Sequence, residues 1–167
     1  MVIASRKLSR ASSSSNPLWL GTIRREDRSL TDSGFWLGKL SHKTQALLVA
    51  FFAALRKKLP VFACVETRMK IRTGRYLIPD VAVFHPTERD LVPETPPLVA
   101  IKVLSLDDRL SEVRTKLEEY RSWGVPHVWL VDPHSQRMYT SEAGLHEVPS
   151  LPVPELGVEV TPSDLFE

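Results

Sequence analysis

The chain has 167 residues, 43% of them hydrophobic and 25% charged, with a net charge of +2. That balance fits one folded domain with its own core and excludes a disordered or fibrous chain. The longest apolar run, Ala46 to Leu55, is ten residues and ends in Arg56-Lys57-Lys58, too short to cross a bilayer. No apolar segment follows the basic N-terminus, so no signal peptide is expected. The single cysteine, Cys64, has no internal disulfide partner, which points to a cytoplasmic location.

Residues 1–16 are basic and serine-rich without periodicity, and are expected to be a disordered tail. Residues 17–167 are expected to form one domain. Gly34 to Leu40 (GFWLGKL) suggests a short strand. Ser41 can cap a helix to about Lys58, with Leu47, Leu48, Phe51, Phe52 and Leu55 on its apolar face and Pro60 beyond its end. VFACVETRMKI then alternates as a strand, RTGR supplies a turn, and LIPDVAVF reads as a second strand, so the two form a candidate hairpin.

His85 to Pro97 is a proline- and charge-rich loop. LVAIKVLS follows as a strand buried on both faces. Asp107 or Asp108 can cap a helix to about Trp123, with a stripe of Leu110, Val113, Leu117 and Tyr120 and with Gly124 at its C-cap. HVWLVD is a further buried strand. RMYTS and LHEVP pair around EAG, and the closing LGVEVTPSDLFE offers one strand and a helical turn. The order predicts an α/β fold, a mixed sheet flanked by helices.

Four positions stand out. Asp80 follows Pro79 at a strand start and can bind a hard cation, although Pro-Asp is also ordinary turn chemistry. Glu66, on the preceding strand, comes near Asp80 if the strands pair; two carboxylates placed together are costly without a cation. An exposed, solvated Glu66 is the plainer alternative. Lys102 lies inside an apolar strand, where lysine needs a partner. Lys116 lies between Val113 and Tyr120 at helical spacing and can run along the sheet toward the strand ends, or simply be solvated. There is no glycine-rich phosphate loop, no GxSxG and no CxxC, and the five histidines have no metal-ligand spacing.

RYLIPDVAVF, followed by PPLVAIKVLSLDDRLSEVRTKLEEYRSWGVPHVWLVDP, resembles the Uma-two family of restriction-endonuclease-like proteins within the PD-(D/E)xK nuclease superfamily. The likeness is strongest from Arg75 to Pro133 and weakest before Gly34. The resemblance implies a restriction-endonuclease-like mixed β-sheet flanked by helices. It also implies a Mg²⁺-dependent cut of DNA: carboxylates hold one or two ions that polarise the phosphate and generate hydroxide. Carried over residue by residue, Asp80 and Glu66 become metal ligands and Lys116 the lysine that stabilises charge. Tyr120 becomes the aromatic that follows it, and Ser105 the serine after the strand.

Lys102 departs from that pattern. The family reads E-V-L-S, with glutamate as the second ligand, where this chain reads K-V-L-S. An ammonium has no lone pair to offer a metal. At ~4 Å an opposite charge is worth roughly 4 kcal/mol in a medium of effective dielectric ~20, before desolvation. Lys102 is therefore expected to point at Asp80 or Glu66 in place of the metal. Two function classes follow: a Mg²⁺-dependent DNA endonuclease using Asp80, Glu66, Lys116, Lys102 and Tyr120, or a non-catalytic nuclease fold. The non-catalytic fold binds nucleic acid through Lys102, Lys116, Arg109 and Arg114, or binds a protein partner. A homodimer is compatible with either class.

Overall fold

The structure, a computed structural model, describes residues 32–56, 58–86 and 91–166, with side chains from Leu40 onward. The expected disordered tail lies outside the described residues. Helix α1 runs Asp32–Leu55. Ser41, Thr44, Leu48 and Phe52, spaced by three and four, make its buried face. Gly34 to Leu40, expected as a strand, is instead helical, and Ser41 is a buried position inside the helix rather than its cap. The spacing Leu37, Leu40, Thr44, Leu48 extends the helical period backwards. Adding turns to an existing helix costs no new nucleus, which offsets about 1 kcal/mol for each of two glycines.

The expected hairpin forms but is interrupted. β1 (Phe62–Val65) pairs antiparallel with β4 (Val81–Phe84), while β2 (Met69–Arg72) pairs with β3 (Arg75–Leu77) as a separate two-stranded arm. Between the two ladders, Pro79 has no N–H to donate, and Glu66, across from Asp80, takes a left-handed φ of 47°. Gly74, at φ 74°, turns the arm back on itself.

β5 (Val99–Val103) pairs antiparallel with β4 and parallel with β6 (His127–Asp132). Parallel pairing needs a crossover, which α2 (Leu110–Trp123) supplies. β7 (Arg137–Ser141) and β8 (Leu145–Val148) complete a six-stranded sheet in the order β1-β4-β5-β6-β7-β8. Beyond it, β9 (Leu151–Val153) and β10 (Val158–Val160) pair, and α3 (Pro162–Phe166) follows. β9 escapes detection in the sequence because Pro152 masks a three-residue strand.

The sheet separates two cores by residue parity. Val81, Val83, Val99, Ile101, Val103, Trp129 and Val131 pack with Leu48 and Phe52 of α1. Ala82, Phe84, Ala100, Val128 and Leu130 pack with Val113, Leu117 and Tyr120 of α2. Leu110, expected in that stripe, is exposed. Gly124 ends α2 at φ 98°, donating to the Arg121 and Tyr120 carbonyls. Among the described residues no helix is long and apolar enough to cross a membrane.

Candidate functional site

Asp80 and Lys102 share the parity of Ala82 and Ala100, so both fall on the α2 side of the sheet. Val81 stands opposite Ile101, and continuing that register sets Asp80 against Lys102. The Asp80 backbone is held at both ends: its N–H donates to the Ile101 carbonyl at 3.1 Å, and its carbonyl accepts from Glu66 N–H at 3.2 Å. β4 pairing stops just before β5 ends, and Asp80 Oδ2 takes the Val103 N–H at 2.6 Å.

Lys102 Nζ lies 3.1 Å from Asp80 Oδ2 and 2.9 Å from Asp108 Oδ2, with all three side chains less than one-fifth exposed. Asp108 is fixed in its turn. Its Oδ2 accepts from Ser105 N–H at 2.8 Å and from Ser105 Oγ–H at 2.9 Å, and its own N–H returns to the Ser105 carbonyl. Neither Asp107 nor Asp108 caps α2; Arg109 holds the N-cap position without a side-chain bond. Asp108 is the site residue that sequence reasoning missed. Its signal was the Ser105–Asp108 spacing of three, the pattern of a box that satisfies a turn's donors, here ending on a lysine.

Burial alone would lower the Lys102 pKa, but the hydrogen bond to Asp108 and the charges of Asp80 and Asp108 outweigh it and hold the ammonium above its usual range. Burial alone would raise Asp108; the bonds from Lys102 and Ser105 win and hold its carboxyl below the usual range.

The other expected residues are divided. Glu66 is exposed beside the Asp80 backbone, and among the described residues its carboxylate makes no ion pair. The left-handed φ at Glu66 breaks the strand alternation that would have aimed its side chain at Asp80. Lys116 and Tyr120, one turn apart on α2, line one cleft of about 220 Å³ with Arg75, Tyr76, Leu77 and Ile78. Lys116 is exposed and Tyr120 is buried. Burial, then the negative charges of Asp80 and Glu119, push the Tyr120 phenol far up, so it stays neutral. Arg109, expected to bind nucleic acid, pairs weakly with Glu112 at 3.8 Å.

The donor set does not fit a divalent cation. Two carboxylate oxygens converge, but they converge on an ammonium, which repels a metal and gives it no lone pair. Among the described residues no group of three or more His, Cys, Asp or Glu side chains is arranged to hold one.

A mixed sheet split by one parallel crossover, with a carboxylate after a proline at the strand break, defines a restriction-endonuclease-like nuclease fold. The chain belongs to the Uma2 family: the family model described as "Putative restriction endonuclease" matches residues 37–167. A crystal structure from Anabaena variabilis, of a "putative nuclease belonging to DUF820", is similar with a TM-score of 0.66 at 20% identity. The match covers 76% of this chain and 80% of that one, and shows the shared fold. A DrdV–DNA complex matches at 13% identity and a TM-score of 0.35, over 78% of this chain and 10% of that one, too loosely to carry an argument. No curated protein sequence matches.

Proposed function

We propose that this protein is a nuclease-fold DNA-binding protein that holds an internal ion pair where the family pattern has a metal, and that it binds DNA without cutting it. The observation that carries this reading is Lys102 Nζ, bound at 3.1 Å to Asp80 and at 2.9 Å to Asp108. The ammonium does the metal's structural work by neutralising carboxylates at the sheet break. It does none of the metal's chemical work, since it can neither polarise a phosphoryl oxygen as a Lewis acid nor lower the pKa of a bound water. Family membership supports DNA as the ligand.

A second reading keeps Mg²⁺-dependent cleavage, with Asp80 and Glu66 as ligands and Lys116 and Tyr120 beside them. It is favoured by the cleft that Lys116 and Tyr120 share, and by the net charge of −1 left when one ammonium meets two carboxylates. Incubating supercoiled plasmid with the full chain and Mg²⁺ or Mn²⁺ decides between them. The expected result is no nicking above background with either metal. Nicking that disappears in Asp80→Asn would replace this reading with the enzyme.

A further inference from the structure

The net charge of the whole chain is +2, yet Thr67 to Pro79 alone carries Arg68, Lys70, Arg72 and Arg75 and no carboxylate. These residues make the β2–β3 arm, which stands apart from the six-stranded sheet. Its inner face is used up: Met69 and Leu77 are buried in the α2 core. Arg75 makes a bidentate pair with Glu119 of α2, and Lys70 pairs at 2.8 Å with Glu94. Arg68 and Arg72 are exposed and, among the described residues, pair with no carboxylate. Arg72 borders a groove shared with Glu118 and Glu119, while Arg68 lies over the Tyr76 ring at 3.9 Å.

We infer that the β2–β3 arm is the phosphate-contacting surface of this protein, that it takes duplex DNA, and that Arg68 and Arg72 make the contacts. This rests on the DNA-binding reading above and gives it a place. A two-stranded ribbon is narrow enough for a major groove. The Arg75–Glu119 pair fixes the arm to α2, so little ordering is needed on binding. The exposed Lys70–Glu94 pair is of the weak kind that a phosphate can replace. A bilayer is the poorer partner, because Met69 and Leu77 face the core and Ile78 is left as a single large exposed apolar side chain, too little to anchor in lipid. Single strands are poorer too, because Arg68 already covers one face of the Tyr76 ring, a surface on which a base would stack.

The test is fluorescence anisotropy of a labelled mixed-sequence duplex with the full-length chain, across a salt series, with thermal melts confirming that each variant is folded. The Arg68→Ala/Arg72→Ala variant is expected to bind more weakly, with a slope of log K against log salt shallower by about 2. Arg68→Lys/Arg72→Lys is expected to keep the wild-type slope. If wild type binds and the alanine variant keeps its slope, the arm is not the contact, while the DNA-binding reading stands. If wild type binds no duplex at low salt, the reading and the arm fall together. Loss of binding to phosphatidylserine vesicles in the alanine variant, with duplex binding intact, would overturn the inference in favour of a membrane surface.

Discussion

Lys102 was legible because an apolar strand rarely carries an unpartnered cation, and parity across β4 and β5 brings it to Asp80. Asp108 was not, because an aspartate just before a helix reads as its cap, and only the fold turns the Ser105–Asp108 loop under the lysine. Removing the cation leaves two carboxylates facing each other with little solvent. Lys102→Met is therefore expected to cost about 3 kcal/mol in urea unfolding, the low end for breaking a buried pair. The pH dependence follows from both partners. The depressed Asp108 contributes stability above its unfolded pKa of about 3.9, lost as pH falls through the lower folded value. The raised Lys102 contributes below its unfolded pKa of about 10.4, lost as pH rises through the higher folded value. The gap in melting temperature between wild type and Lys102→Met should stay flat from about pH 5 to about pH 9. It should then narrow below about pH 4, as the Asp108 carboxylate protonates.

At the scale of elements, pairing was more legible than continuity. Period-two alternation in VFACVETRMKI and LIPDVAVF announces a hairpin, but alternation says nothing of where a ladder breaks. The break comes from Pro79 and from the left-handed Glu66, and it creates both the site and the arm. The same turn of backbone takes Glu66 out of strand geometry, and its exposed carboxylate makes no ion pair among the described residues. Helix α1 differs in the opposite sense: two glycines disguised a helix that starts at Asp32. The cap of α2 was legible, since a glycine after the last apolar position is the usual helix stop. A Cβ at Gly124 would meet only Pro96 Cγ, at an ordinary 3.8 Å, so the cost of Gly124→Ala is the strain of φ 98° alone. About 1 kcal/mol is expected, read from chemical unfolding with DNA affinity unchanged.

For the whole molecule, the sequence carried the class of fold, because the motifs from Arg75 to Pro133 span the strands and crossover helix that define it. It carried less of the site, since an ion pair of three residues depends on distances that spacing does not encode. Lys102 in the place of a metal predicts that the site takes a metal once a carboxylate replaces the lysine. Substituting Lys102→Glu replaces the ammonium between Asp80 and Asp108 with a third carboxylate, the oxygen-rich donor set a hard divalent cation requires. Isothermal titration with Mn²⁺ reads that affinity. Wild type should show no saturable heat, Lys102→Glu should bind at millimolar or tighter affinity, and adding Asp80→Ala to that variant should abolish the binding. Wild-type binding of equal affinity that is lost in Asp80→Ala would restore the metal to the site.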